Sequence, residues 1–203
     1  DNNVITLLSA RSEMGQGVYT SMPMLIAEEL HVKLNQVKVA IAPPGAVYVN
    51  ALLGAQITGG STSIRDAWEK LRIGGAQVRT MLVQAAANKW GVDASTLTAD
   101  NGVVSGGGKS ATYGELAAAA ASVPVPKDVK LKDPSQFKVV GKPLQRLDTP
   151  SKVNGTAQFG IDAKVPGMVY ASIEQTPVIG GKPKSFDASK AKAMPGVIDV
   201  VQI

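Results

Sequence analysis

Two glycine-rich loops, each directly before a predicted helix, contain the residues best suited to ligand binding. Their small or polar side chains leave backbone N–H groups accessible: Gly15, Gln16 and Gly17 in the first loop, and Thr58, Gly59, Gly60, Ser61 and Ser63 in the second. A helix N-terminus offers N–H donors and the positive end of the helix dipole, so each junction could bind an anion. Together they could hold one long, phosphate-bearing ligand. For Ser61 and Ser63 the alternative is helix capping without a ligand.

The hydrophobic patterns around these loops predict the elements that would position them. We expect a buried strand over 4–9, a helix over 20–30, a half-buried strand over 37–41, a long loop over 46–60 and a helix over 63–90. Ser63 and Asp66 form a predicted capping box, and Gly91 is expected to end the long helix. Gly74 and Gly75 in its middle indicate either a close neighbour or a bend.

The remaining patterns mix strands and helices, and the predicted fold class is therefore α+β. We expect a strand and turn over 97–105, short helices over 112–121 and 188–193, a helical turn over 148–155, and strands over 137–140, 168–173 and 197–201. Prolines alternate with lysines in 123–136, which is typical of a linker. The predicted organisation is a first domain over 1–122, a linker over 123–136 and a second domain over 137–203.

The composition excludes several kinds of site. With 0 cysteines and 1 histidine in 203 residues, the chain cannot supply a zinc tetrad, a cysteine-ligated iron–sulfur cluster or a thiolate nucleophile. Any metal would have to arrive within a cofactor, and we predict no metal ligand in the chain. His31 follows the first predicted helix, where a cation favours the helix dipole, so we expect it to cap that helix or to lie on the surface.

The charge and hydropathy patterns argue against nucleic acid and membrane partners. The net charge of +5 comes largely from lysines and Arg146 in and after the linker. No aromatic stacking platform accompanies them, which favours a solvated segment or a surface for an acidic partner over nucleic acid binding. No apolar run reaches the roughly 20 residues that span a bilayer. We therefore predict no nucleic acid partner and no transmembrane segment in this chain.

Several motifs together resemble a known enzyme family. EMGQGVYT at 13–20, AEEL at 27–30 and TGGSTS at 58–63 are similar to the molybdopterin-binding part of xanthine dehydrogenase and aldehyde oxidase large subunits. GKPLQRLD at 141–148, VNGTAQFGID at 153–162 and MPGV at 194–197 resemble the α/β hammerhead domain of the same subunits. Because the hammerhead-like motifs come second, the order resembles the isoquinoline 1-oxidoreductase beta-subunit branch, which includes aldehyde dehydrogenase large subunits.

The resemblance implies a fragment of a molybdenum hydroxylase large subunit, with a molybdopterin-binding lobe followed by the start of an α/β hammerhead domain. Such enzymes oxidise an aldehyde or an N-heteroaromatic substrate with water-derived oxygen. The implied cofactor is molybdopterin in a dinucleotide form, molybdopterin cytosine dinucleotide. The implied partners are the remainder of the large subunit, an iron–sulfur small subunit that carries the clusters, and a small-molecule substrate. The branch also suggests a periplasmic location.

The resemblance assigns cofactor contacts to the two loops. The Gln16 amide would hydrogen-bond to the pterin, while Gly15 and Gly17 would let the backbone come close. The second loop, over 58–63, would donate N–H and hydroxyl groups to the pterin and its phosphate. Arg65 in the first turn of the long helix would either contact a phosphate or remain solvated beside Asp66.

The general base of this family is a glutamate whose motif has no match in this chain. We expect Glu13, Glu28 and Glu29 to be loop and helix-surface residues, we predict no catalytic residue, and we expect the isolated chain to be inactive. The competing hypothesis is a non-catalytic structural or docking module that binds no ligand on its own. We also expect the chain to be a piece of a longer protein.

Overall fold

The structure is a computed structural model that describes residues 3–203. It contains two compact units, the first ending at Ala157 and the second running from Gln158 to Ile203. The elements of the first unit are β1 (Ile5–Ser9), α1 (Val18–Leu30), β2 (Val37–Ile41), α2 (Ser63–Trp90), β3 (Thr98–Asp100), β4 (Val103–Gly106), β5 (Lys109–Thr112), α3 (Tyr113–Ala120) and α4 (Thr149–Val153). Helical and strand elements are both present, which agrees with the predicted α+β class.

A parallel β–α–β unit forms the start of the fold. β1 pairs with β2 in parallel, with Ile5 opposite Val37, and α1 connects them. The helix begins two residues earlier than predicted, because Gly17 takes a left-handed conformation (φ 87°) as the N-cap. Pro23 consequently lies inside α1 rather than in its first turn.

The long helix α2 has the predicted bounds and packs against α1. Gly91 ends it in the left-handed conformation (φ 65°), as expected for a C-cap. Of the two central glycines, only Gly75 lies at a close contact: a Cβ there would be 2.8 Å from the Ile26 carbonyl oxygen. A Cβ at Gly74 would meet nothing within 4 Å. Gly75 therefore allows the backbone of α1 to approach, which is the first of the two predicted reasons.

A second, antiparallel sheet covers the region after α2. Its strand order is β3–β4–β5, and the first turn is made by Asn101 (φ 48°) and Gly102 (φ 78°), as the Asn-Gly pair predicts. Thr112 and Glu115 then form a capping box that begins α3. The turn and the start of α3 in this region are thus set by neighbouring residues, and the sequence predicts them correctly.

One hydrophobic core joins these elements. The buried residues are mostly small aliphatic side chains from α1, α2, α3 and the strands, with Tyr113 as the aromatic member: Leu7, Val18, Met22, Leu25, Ala27, Leu30, Val32, Val37, Ala67, Leu82, Ala85, Ala86, Ala87, Leu97, Val104, Ala111, Tyr113, Leu116 and Ala120. The Tyr113 hydroxyl donates to the Leu30 carbonyl oxygen at 2.8 Å, and so its one polar group is satisfied inside the core.

Two buried glutamates hold the proline- and lysine-rich segment against α1. Glu28 and Glu29 are both 0% exposed, so the expectation of helix-surface positions was wrong. The Glu28 carboxylate accepts hydrogen bonds from the backbone N–H groups of residues 138, 139 and 140. Glu29 pairs with Arg72 at 2.8 Å and accepts from the Lys132 backbone N–H. The strand predicted over 137–140 is absent because its N–H groups donate to a carboxylate instead of a neighbouring strand.

The second unit contains a 3₁₀ turn (Gly160–Asp162) and a short helix, α5 (Ser189–Lys192). Neither of the strands predicted over 168–173 and 197–201 is present, and no residue of this unit is buried. Alternating apolar residues favour a strand only when a neighbouring strand can take up their backbone hydrogen bonds. The domain boundaries predicted from the sequence stay predictions. No helix among residues 3–203 is long and apolar enough to cross a membrane.

The two central glycines of α2 give a matched pair of substitutions. Gly75→Ala should destabilise the chain by about 1–3 kcal/mol, because the new methyl group meets the α1 backbone. Gly74→Ala should instead stabilise it by about 0.5–1 kcal/mol through helix propensity alone. Urea denaturation of both variants measures the difference. Equal shifts in both variants would contradict the close approach at Gly75.

Candidate functional site

The two glycine-rich loops contact each other. We call residues 12–17 the Gly-Gln-Gly loop and residues 58–63 the Gly-Gly-Ser loop. The Ser12 backbone N–H donates to the Thr58 hydroxyl oxygen at 2.9 Å. The structure therefore brings together the two loops that contain all the predicted site residues.

A buried ion pair next to the loops fixes their positions. Arg11, which follows β1, is 3% exposed and pairs at 2.5 Å with Asp66 in the first turn of α2. Asp66 also accepts from Lys70 at 2.6 Å and from the Ala51 backbone N–H at 2.9 Å. Burial raises the pKa of Asp66, but the Lys70 and Ala51 hydrogen bonds and the neighbouring positive charges outweigh it and lower the pKa overall. Asp66 is thus charged and joins three segments.

The start of α2 differs from the predicted capping box. The N-cap is Thr62, one residue before the predicted Ser63, and no side chain caps the helix. The Thr62 hydroxyl donates to the Gly59 carbonyl oxygen at 2.8 Å and accepts from the Asn50 amide at 2.6 Å. The prediction was wrong because Asp66 is engaged by Arg11, Lys70 and Ala51 and does not return to the N-cap.

The N-terminus of α2 keeps its first N–H groups available. Within residues 3–203, the backbone N–H groups of residues 63, 64 and 65 have no acceptor. Gly60 (φ 59°) and Ser61 (φ 53°) just before them are left-handed, and the Ser61 side chain is exposed and that of Ser63 partly exposed. A bare helix start with hydroxyl groups beside it is suited to an anion.

The N-terminus of α1 is already occupied by an anion from the chain itself. The Glu13 carboxylate accepts from the backbone N–H groups of Gly15 and Gly17, both at 2.8 Å, and of Tyr19 at 3.0 Å. Burial raises the pKa of Glu13, and these hydrogen bonds more than offset it, so the pKa is lowered overall. Glu13 is a loop residue, as expected, and it leaves these three N–H groups unavailable to a ligand.

Gln16, the predicted pterin contact, is exposed at the tip of its loop. Its side-chain oxygen accepts from the Met14 backbone N–H at 2.5 Å, and its side-chain nitrogen donates to the Ser12 carbonyl oxygen at 2.9 Å. Both ends of the amide thus bind the loop itself. One N–H of the amide nitrogen and a lone pair of its oxygen remain for another partner.

Backbone conformation explains why some positions of the two loops are glycine, but not others. Gly15 (φ 103°) and Gly17 (φ 87°) adopt conformations that disfavour a side chain. Gly59 has no such requirement, and a Cβ built there would meet nothing within 4 Å. The surface over Gly59 is therefore open, and its missing side chain is not explained by the fold of the chain.

Two arginines of this region were not identified as site residues from the sequence. Arg11 is buried, and its Nε donor has no acceptor among residues 3–203. Arg146 donates from Nη1 to the Gly15 carbonyl oxygen at 2.9 Å. A buried arginine has no sequence signal of its own, whereas Arg146 lies in the GKPLQRLD motif. Arg65, by contrast, is exposed, and its neighbour Asp66 pairs with Arg11 and Lys70 instead.

His31 caps α1 through its left-handed backbone (φ 56°) rather than through a positive charge. Its Nδ1 lies 2.8 Å from the Ala99 carbonyl oxygen, and its Nε2 lies 2.5 Å from a guanidinium nitrogen of Arg79. Burial, aided by the Arg79 charge, lowers the pKa of His31. A neutral ring that donates from Nδ1 and accepts at Nε2 fits both contacts. The expectation that His31 caps α1 is confirmed, but the cap is made by its backbone and not by a cation acting on the helix dipole.

Comparison with known proteins identifies the family. A family model described as the molybdopterin cofactor-binding domain matches residues 1–164. The chain belongs to this family. The match includes both glycine-rich loops and the segment that contains Arg146.

Sequence similarity to individual proteins supports this family assignment. The chain is 34% identical over 239 residues to isoquinoline 1-oxidoreductase subunit beta from Brevundimonas diminuta, an alignment that covers 100% of this chain and 31% of the relative. It is 33% identical over 201 residues to the membrane-bound aldehyde dehydrogenase [pyrroloquinoline-quinone] from Gluconacetobacter polyoxogenes, covering 96% of this chain and 25% of the relative. The chain thus spans about a third or less of these relatives.

Among solved structures, quinoline 2-oxidoreductase from Pseudomonas putida 86 is similar at 18% identity. The similarity covers 64% of this chain and 17% of that one, with a TM-score of 0.43.

The Glu13 hydrogen bonds predict how the stability of this molybdopterin-binding domain depends on pH. Because the folded-state pKa of Glu13 is lowered, its contribution to stability is present above the unfolded pKa, which is about 4.3. That contribution is lost as the pH falls through the folded-state pKa. Glu13→Gln should therefore be less stable than the wild-type chain at pH 7, and the difference should shrink below about pH 4.

Urea denaturation between pH 7 and pH 3 measures this difference. Glu69→Gln is the control, because Glu69 is exposed on α2. A Glu13→Gln deficit that is the same at pH 7 and pH 3 would show that the charge of Glu13 does not contribute.

Proposed function

We propose that the first unit holds a molybdopterin cofactor between the Gly-Gln-Gly loop and the Gly-Gly-Ser loop. The observation that carries the proposal is the contact of the two loops beside the uncapped start of α2. The eight proposed contact residues are those predicted from the sequence: Gly15, Gln16, Gly17, Thr58, Gly59, Gly60, Ser61 and Ser63. Of these, Gly15 and Gly17 would let the ligand come close to the loop, while their N–H groups stay bound to Glu13. Membership of the molybdopterin cofactor-binding family supports the choice of ligand.

The donor chemistry of the region fits an anionic, polar cofactor. The N–H groups at the start of α2 and the hydroxyl groups of Ser61 and Ser63 suit a phosphate. The Arg11 Nε is a further buried donor without an acceptor among the described residues, and Arg11 and Lys70 together exceed the charge of Asp66 by one. When bound, molybdopterin supplies the metal and the two-electron redox chemistry that these side chains lack.

The two helix starts suggest how such a ligand is oriented. Glu13 already binds the N–H groups at the start of α1 and would repel a phosphate there. We therefore place the phosphate-bearing part at α2 and the pterin beside Gln16, whose amide can donate and accept. The dinucleotide form with cytosine is part of the proposal.

The activity that we propose belongs to the larger subunit. It is the oxidation of an aldehyde or an N-heteroaromatic compound with water-derived oxygen, and the names of the isoquinoline and aldehyde relatives support these substrate classes. The proposed partners are the remainder of the same subunit and an iron–sulfur small subunit that carries the clusters. The "subunit beta" of the isoquinoline relative supports a multi-subunit enzyme. We propose that 1–122 is the molybdopterin-binding lobe and that 137–203, after a linker, begins a hammerhead domain.

We assign no catalytic residue to this chain. The carboxylates of Glu13, Glu28 and Glu29 are each engaged by several structural donors. The hydrogen bonds lower the pKa of Glu13 and of Glu28 despite burial, whereas a general base must be able to take a proton. The Glu29 carboxylate is occupied by Arg72 and by the Lys132 backbone N–H. The isolated chain should accordingly bind the cofactor without catalysing the oxidation.

A second candidate is a structural module that binds no ligand by itself. It is favoured by the loop geometry, since Glu13 and Gln16 satisfy the Gly-Gln-Gly loop with hydrogen bonds from within the loop. A titration separates the two candidates. The 203-residue chain should bind 6-hydroxymethylpterin diphosphate, a phosphorylated pterin, with a saturable change in pterin fluorescence. No saturable binding would favour the structural module.

Gly59→Ala tests the location of the site. The substitution should leave the unfolding temperature unchanged, because a Cβ there meets nothing within 4 Å. It should weaken binding of the pterin diphosphate about ten-fold, because the methyl group would lie where the ligand approaches the backbone. Gly74→Ala is the matched control, since its Cβ also meets nothing but lies in the middle of α2. Equal binding by both variants would place the ligand elsewhere.

The cytosine form can be tested on the full-length subunit assembled with its cofactor. Acid hydrolysis of that holoprotein should release cytidine monophosphate, identified by chromatography against nucleotide standards. Release of guanosine or adenosine monophosphate would contradict the cytosine form while leaving the binding site itself in place.

A further inference from the structure

Arg146 contacts Gly15 in the Gly-Gln-Gly loop from a segment 131 residues further along the chain. Its Nη1 donates to the Gly15 carbonyl oxygen at 2.9 Å, and its Nη2 lies 3.3 Å from the Glu13 carboxylate. Its guanidinium also covers Gly17, where a Cβ would be 3.9 Å from Cζ. One planar side chain thus contacts the backbone of the loop and the carboxylate that organises it.

Asp148 orients this guanidinium. It accepts from Arg146 Nε at 3.1 Å and from Nη2 at 3.0 Å, which is a bidentate pair. The Arg146 hydrogen bond is the largest reason why the pKa of Asp148 is lowered to about 2, and Lys152 pairs with the same carboxylate. Asp148 therefore stays charged, and Arg146 is held by two of its nitrogens while Nη1 points to the loop.

The backbone of the arginine segment is anchored independently. The Leu147 N–H donates to the Thr20 hydroxyl oxygen at 2.9 Å, and Thr20 is buried on α1. The segment that contains Arg146 is thus attached to α1, the helix that directly follows the Gly-Gln-Gly loop. Its contact with Gly15 joins the loop to a fixed point, and the loop has no hydrophobic side chain that could do so, since Met14 is 67% exposed.

We propose that Arg146 is a positioning residue, which holds the Gly-Gln-Gly loop in the conformation that presents Gln16 to the cofactor. The inference rests on the proposed function and deepens it. Arg146 acts on the loop backbone and on Glu13, and the ligand is contacted by Gln16. The loss of Arg146 should therefore matter only as long as Gln16 is present.

Hydrogen exchange tests the effect on the loop without any ligand. In Arg146→Ala, the amides of Gly15, Gly17 and Tyr19, which donate to Glu13, should exchange about ten-fold faster or more, because the charge-assisted hydrogen bond of Arg146 to the loop is lost. Amides in the middle of α2 should be unchanged. Arg146→Lys, which keeps the charge but not the planar fork, should be intermediate, and Asp148→Asn should resemble it. Lys142→Ala, an exposed position in the same segment, is the control.

Titration of the 203-residue chain with 6-hydroxymethylpterin diphosphate tests the effect on binding. Arg146→Ala should weaken binding about ten-fold. In a Gln16→Ala background, the same substitution should add less than about two-fold, since a positioning residue acts through the group it positions. The unfolding temperature of each variant separates loop ordering from global stability. If Arg146→Ala does not fold, the lysine and asparagine variants give the same comparison.

Three results would overturn the inference. Unchanged exchange of the Gly15, Gly17 and Tyr19 amides in Arg146→Ala would show that the contact does not order the loop. If the double variant loses affinity by the product of the two single losses, Arg146 contacts the ligand itself or acts elsewhere, and not through Gln16. If the wild-type chain itself does not bind the pterin diphosphate, both the proposed function and this inference are refuted. If the wild-type chain binds and only the comparison of variants fails, the inference alone is refuted.

Discussion

Buried carboxylates that must find donors determine how the segments of the first unit come together. Removing a carboxylate from water is costly unless hydrogen bonds and opposite charges replace the water. Glu28 and Glu29 are fully buried side by side on α1, and their donors come from Arg72 and from a segment about a hundred residues later. Because an unsatisfied pair would be strongly destabilising, these two residues hold 132–140 on the helix although no residue of that segment is fully buried.

The parts of the fold that the sequence predicts are those controlled by neighbouring residues. The bounds of α2 follow from its apolar spacing and from Gly91, and the β3–β4 turn follows from the Asn101-Gly102 pair. The predictions that failed depend on distant partners. Glu28 is polar and was expected to lie on the helix surface, while 137–140 has the pattern of a strand; each expectation was wrong because the carboxylate and those N–H groups bind each other.

In the candidate site, too, local features could be predicted from the sequence and features that depend on distant partners could not. Glycine and serine types in the two loops indicate a place where a backbone can meet a polar ligand, and the structure brings the loops into contact. The sequence alone could not distinguish the two helix starts. α1 receives the Glu13 carboxylate, whereas α2 has no side-chain cap because Asp66 is bound by Arg11 and Lys70. The difference between the two helix starts depends on the hydrogen-bond partners of Glu13 and Asp66, and residue spacing does not determine those partners.

The hydrogen bonds inside the Gly-Gln-Gly loop also limit how it can recognise a ligand. The Glu13 bonds are charge-assisted and partly buried, so a ligand that took over those N–H groups would leave a carboxylate without its donors, at a large cost. The Gln16 bonds are exposed and uncharged, and exchanging them for bonds to a ligand changes the free energy little. Recognition by this loop should therefore proceed through the Gln16 side chain, with the backbone amides serving to keep the loop in shape.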